Sequence, residues 1–315
     1  FNFEMSRVTI WSVNITIITL ICTIICLLLA LNLICKYSRF MKTGDKNILI
    51  YRLIIIALMV YTVNNGLASS FFISLLCGAS LRDFYVGKLC LGLMYLTYFI
   101  ALSLVLGIFM LRIENVFSGT IYESNKRTKR LWILYILYIV FGLLAIVSLG
   151  MDDIGDTFEI IKYICIMIFV ITYVSVSVCV LWIYISNLKL LHTNLSLLML
   201  ELKPSNDADN KALSDANKLY DTMAKTSIIV LITIISTFIF VGIVLFVSHG
   251  PFGNIVPIDN LIGSVCLFLT LQQNDEIYRH LCKYTQRVCL RLCLTDIIYE
   301  SNIESNIESN DIELG

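Results

Sequence analysis

Few residues in this chain can do chemistry inside an apolar environment. Its three histidines, His192, His249 and His280, all fall outside the long apolar runs. The middle of every run is also free of Asp, Glu, Lys and Arg. Ionisable groups in a bilayer are costly and are kept for function, so this pattern excludes several classes. Intramembrane hydrolysis needs paired aspartates, a metal-binding histidine set or a Ser/His pair. A retinal Schiff base needs a lysine in the last run, and proton pumping or ion coupling needs a buried relay. On this reading no catalytic residue, metal site or cofactor is expected, and the chain is not expected to be an enzyme.

The polar residues that do fall within the runs are neutral. Asn64, Asn65, Ser69 and Ser70 cluster in the second run; Tyr95, Thr97, Tyr98 and Ser103 mark the third, and Thr172, Ser175 and Ser177 the fifth. Such groups hydrogen-bond between helices, and Gly66/Ser70 and Ser103/Gly107 have the small-xxx-small spacing that permits close approach. Two roles stand beside each other for them, helix packing and ligand contact. For ligand contact the residues to test are Tyr95, Tyr98, Asn64 and Asn65.

Cysteine offers two further chemistries. Cys77 and Cys90 bracket a short connection on the side expected to be oxidising, where a disulfide is permitted. Cys165 competes for Cys90, and free thiols are the third alternative. Cys22, Cys26, Cys35, Cys179 and Cys266 read as apolar filler. Cys282, Cys289 and Cys293 lie along one edge of an amphipathic stretch near the carboxyl end, where reversible palmitoylation at the membrane surface and ordinary reduced thiols are the two readings.

The elements that position these residues follow from hydropathy. The 315 residues are 58% hydrophobic and 15% charged, with a mean hydropathy of +0.85. A soluble domain carries about 25% charged residues. A spanning helix needs about 20 mostly apolar residues, and seven runs qualify: 8–35, 47–76, 89–111, 131–149, 163–185, 226–248 and 255–273. Pro257, Asp259 and Asn260 interrupt the start of the last. No alternation of the kind a membrane β-barrel requires is present. The expected fold is an all-α, polytopic bundle of seven transmembrane helices over residues 1–273. The first run starts so near Phe1 that it is expected to insert without a separate signal.

Lys and Arg set the orientation. Eighteen of the 23 fall in the first, third and fifth connections and the tail. The other side holds Arg7, Arg82, Lys88 and Lys162, while Arg52 sits at the mouth of the second run. The amino terminus is therefore expected outside and the basic loop containing Lys126, Arg127, Lys129 and Arg130 inside. Within the fifth connection, Leu188, Leu191, Leu195, Leu198 and Leu202 continue the fifth helix at helical spacing. Pro204-Ser205-Asn206 breaks it, and Leu213, Ala216, Leu219, Tyr220 and Met223 lead into the sixth. A cytoplasmic helical hairpin and a polar loop are both compatible with this. Residues 274–295 read as an amphipathic helix on the inner membrane surface, with Ile277, Leu281, Tyr284, Val288 and Leu292 opposite Arg279, Lys283, Arg287 and Arg291. Residues 296–315, with the Ser-Asn-Ile-Glu repeat, read as a disordered acidic tail.

Seven runs, an external amino terminus, Cys90 at the outer end of the third and Arg112 at its inner end together resemble a G-protein-coupled receptor. The long fifth connection and the cysteine-bearing helix after the last run add to this resemblance, which covers nearly the whole chain in plan. In motifs the chain departs from the rhodopsin-like pattern. Leu111-Arg112-Ile113-Glu114 stands where Asp-Arg-Tyr is usual, the second run has no acid, and the sixth lacks a proline-containing aromatic motif. Asn274-Asp275-Glu276-Ile277-Tyr278 stands in place of Asn-Pro-x-x-Tyr, and the fourth connection has no cysteine. The resemblance implies a divergent receptor at the plasma membrane or an internal one. It implies an unidentified ligand among the outer helix halves and a cytoplasmic signalling partner such as a G protein, met by Arg112 and the basic third connection. A neutral-solute transporter or channel and a membrane scaffold are the alternatives. Zero net charge gives no reason to expect a nucleic-acid partner.

Overall fold

The computed structural model describes residues 2–40, 48–76, 85–117, 125–149, 156–201, 207–246, 256–271, 274, 276–278 and 280. The main elements are seven α-helices: α1 (Asn2–Phe40), α2 (Ile48–Leu76), α3 (Tyr85–Phe117), α4 (Asn125–Leu149), α5 (Asp156–Glu201), α6 (Asp207–Phe246) and α7 (Val256–Leu269). No strand occurs among the described residues. Helices α1 to α6 each contain an apolar stretch long enough to cross a membrane. The seventh, at 14 residues, is shorter than the 255–273 run predicts and spans about 21 Å at 1.5 Å per residue. It stops where the Leu271 carbonyl accepts the Asn274 N–H in a turn, at 3.1 Å. The chain is thus a polytopic helical bundle.

The surface of α1 identifies its surroundings. Thr16, Thr19, Cys22, Cys26, Ala30 and Leu33 are buried at helical spacing, while Ile17, Ile21, Ile24, Leu28 and Leu31 are exposed. The exposed face is larger and more apolar than the packed one. This inverts the arrangement of a water-soluble helix and fits one whose outer face meets lipid, with small residues drawing helices together.

The chain divides into two compact units. The first contains Phe1–Val180 and Ile232–Phe268. In it α1 packs on α2, α2 on α3 and α3 on α4. An aromatic seam joins α3, α4 and α5: Phe99 lies 5.6 Å from Tyr138, which stacks on Phe169 at 5.5 Å and meets Tyr173 at 5.9 Å. Gly142 on α4 makes the seam possible, because a Cβ there would collide with the Phe99 ring. The Tyr135 hydroxyl donates to the Ser103 carbonyl at 2.7 Å. The second unit contains Leu181–Leu231 and Leu269–Gly315. Its buried residues include Tyr184 and Leu188 of α5 and the unbroken stretch 223–230 of α6.

Two expectations sharpen. α5 is helical through Glu201 and α6 from Asp207, so both stripes of the fifth connection are helix rather than polar loop. Lys126, Arg127, Lys129 and Arg130, expected in a loop, occupy the opening turns of α4, which starts at Asn125. Ser124 and Asn125 are residue types that favour a helix start. Most of the amphipathic stretch 274–295 and the whole tail 296–315 lie outside the described residues.

Candidate functional site

Polar side chains from five helices meet in the first unit, and they do so around two neighbouring residues of α7. Pro257 stands at the second position of α7, where its missing N–H costs nothing. Asp259 and Asn260 follow on the first turn and the start of the second. Both are buried, at 4% and 0% exposure. The middles of the runs stay free of ionisable groups as expected, but the start of the last run is itself buried in the bundle. Pro257-Ile258-Asp259-Asn260 does not interrupt a span; it starts a helix, and it carries a carboxylate into the bundle.

Asp259 gathers hydroxyls. Tyr98 of α3 donates to its Oδ2 at 2.6 Å, and Ser236 of α6 donates to its Oδ1 at 2.8 Å. Thr237 of α6 lies 3.4 Å from both oxygens. Tyr61 of α2 and Tyr173 of α5 are further neighbours of the carboxylate. No cation stands among these groups. A buried carboxylate loses several kcal/mol of solvation. Hydrogen bonds to a charged group return about 1.5–3 kcal/mol each, and the amino-terminal end of its own helix adds up to about 2 kcal/mol. Two short hydroxyl bonds and the helix end are of the right size to hold it.

Asn260 continues the network to α2. Its Nδ2 donates to Asn64 Oδ1 and to Asn65 Oδ1, each at 2.7 Å. Asn64 donates through Nδ2 to the Met94 carbonyl and to Thr97 Oγ1, both at 2.7 Å. Asn65 Nδ2 lies 3.6 Å from Cys26 Sγ, and that thiol donates to Ser264 Oγ of α7 at 3.3 Å. The amide orientations follow from one fixed point. Met94 offers only a carbonyl, so Asn64 must turn its Nδ2 to α3 and its Oδ1 to Asn260. Asn260 must then present Nδ2, and its Oδ1 is left buried without a hydrogen-bond partner. A buried orphan acceptor costs about 1–3 kcal/mol.

The sequence-predicted residues divide. Tyr98, Asn64 and Asn65 belong to this site. Tyr95, 38% exposed, is not among the groups that Asp259 or Asn260 engages. Arg112 lies within α3, partly buried, with Tyr51 of α2 as an electrostatic neighbour. Lys129 and Arg130 are exposed, and the side chains of Lys126 and Arg127 lie outside the described residues. Cys90 and Cys165 carry free thiols, one of the three alternatives left open for Cys90. Cys77, Cys282, Cys289 and Cys293 lie outside the described residues. Cys26, read as filler, is a link between α2 and α7. Ser236, Thr237 and Ser264 were not singled out by sequence reasoning, and Asp259 and Asn260 were named only as interruptions of the last run. The usable signal was Pro followed within two residues by Asp, a helix start rather than a break.

No protein-family model, curated protein or solved structure matches this chain.

Proposed function

We propose that this chain is a receptor-like integral membrane protein that binds a ligand among the outer halves of its helices and signals to a cytoplasmic partner such as a G protein. One observation carries the reading: a single carboxylate on α7 is shared by α3 and α6. With the amino terminus outside, the start of α7, the start of α3 and the end of α6 share the outer side. A ligand that competed for Asp259 would act on three helices at once, and a bundle with discrete packings converts such a local change into movement of the inner ends. Arg112 and the basic opening turns of α4 are the residues proposed to meet the partner.

The same carboxylate favours a second reading. A buried ionisable group is also the mark of ion-coupled transport, so a transporter or channel stands behind the receptor rather than being excluded by charge-free spans. Reconstitution separates the two. The receptor reading expects purified protein in liposomes to accelerate nucleotide exchange on added heterotrimeric G protein, with Arg112→Ala reducing that effect at equal protein. Ion flux without exchange would favour transport, and silence in both assays would leave a scaffold.

A further inference from the structure

The second unit contains a buried lysine that neither reading uses. Lys225 of α6 is 6% exposed. Its Nζ donates to the Leu271 carbonyl at 3.1 Å and stands 5.2 Å from the centre of the Tyr278 ring. The same carbonyl accepts the Asn274 N–H that closes the turn after α7. The ammonium thus meets a turn carbonyl two residues past the end of α7, together with the electron-rich face of an aromatic ring. Lys225 lies inside the stretch 223–230, in which every residue is buried. A helix buried on all sides is enclosed by its neighbours, so this part of α6 cannot move unless the groups around it let go.

The chemistry of the contact is that of a fastening made to be undone. An apolar residue at position 225 would pack without leaving a charge to satisfy, and glycine at the helix end would cap α7 from within its own chain. A lysine instead brings a strongly hydrated ammonium to a carbonyl and a ring on a long flexible stem. Leu271 and Tyr278 also follow α7, the helix that carries Asp259. The α6 helix is therefore tied to the α7 segment once in each unit.

We propose that Lys225 is a releasable latch: while its ammonium holds the Leu271 carbonyl and the Tyr278 ring, residues 223–230 of α6 stay enclosed, and its withdrawal opens that stretch. The latch goes beyond the receptor reading and does not depend on it. The test uses the full-length protein in nanodiscs carrying Ser227→Cys, a buried position in the same stretch. Thiol labelling at that site is followed by mass spectrometry, with native Cys26 in the first unit as an internal control. Replacing Lys225 by Met is expected to raise the labelling rate at position 227 about tenfold while Cys26 stays protected, the signature of local opening. Lys225→Arg, which keeps a donor, is expected to hold the rate near the parent's. Equal rates in parent and Lys225→Met would overturn the latch. So would Cys26 becoming labelled in step, since that reports general loosening. Should Lys225→Met not yield folded protein, Tyr278→Leu removes the ring alone and is expected to raise the rate about threefold; no change there would overturn the proposal equally.

Discussion

Asp259 has the most consequence of any single residue here, and its energetics can be separated from its geometry. Asp259→Ala strands the Tyr98 and Ser236 hydroxyls and leaves a small void, so a loss of about 2–4 kcal/mol is expected. Asp259→Asn keeps the shape. Hydroxyls can turn from donor to acceptor, so the amide can be met by the same three neighbours at a cost within about 1 kcal/mol. Thermal unfolding of the purified variants in one detergent checks the order. If Asp259→Asn falls as far as Asp259→Ala, the charge rather than the hydrogen-bond geometry holds the cluster. The sequence displayed this residue openly, yet hydropathy made it look like a flaw in the seventh run. What could not be seen was the partner set, since Ser236 and Thr237 lie 22 or more residues away and look like ordinary polar residues of a span. Asn64 and Asn65 were legible because two adjacent amides in one apolar run are conspicuous; Asn260, which both of them meet, was not.

At the scale of elements, glycine spacing in the sequence suggested close approach without saying where. The small-xxx-small pair at Gly66 and Ser70 borders open space at Gly66, since a Cβ there would meet nothing within 4 Å. Close approach occurs at the other such pair, where a Cβ at Gly107 would stand 3.0 Å from the Tyr135 hydroxyl oxygen, and also at Gly142, against the Phe99 ring, and at Gly263, where a Cβ would stand 2.6 Å from the Tyr61 hydroxyl oxygen. Phe99 is held in the aromatic seam, and Tyr61 is 2% exposed. Neither ring has room to withdraw. Gly142→Ala and Gly263→Ala are each expected to cost about 1–3 kcal/mol by overpacking. Gly66→Ala, which only gains helix propensity, is expected to be neutral or to stabilise by up to about 1 kcal/mol. Unfolding temperatures of the three variants decide the matter, and a Gly66→Ala loss equal to the others would refute the packing assignment. The helix starts show the same limit of sequence reasoning. Hydropathy marks where a helix becomes apolar, not where it begins, so the basic turns of α4 were expected as a loop and the polar extensions of α5 and α6 were left open between helix and loop.

For the whole molecule, the strongest statement comes from the sequence, and the structure supplies what it acts on. Apolar residues turned outward on α1 call for lipid, but bundle coordinates are indifferent to which way up they sit. Charge is not. A bias of 18 cationic residues against four opposes translocation of the first, third and fifth connections, because Lys and Arg near span ends are retained on the cytoplasmic side. Of that count, Lys189, Lys211, Lys218 and Lys225 stand on α5 and α6 rather than in a loop. An epitope placed before Phe1 is therefore expected to be detected on intact cells, and one placed after Gly315 only after permeabilisation. The reverse pattern would invert every assignment of outer and inner halves, moving the Asp259 cluster to the cytoplasmic side. The receptor reading could not survive that inversion, whereas the latch could, because its geometry holds within one unit whichever side faces the cell. Orientation is thus the measurement on which the functional reading depends first, ahead of any search for a ligand.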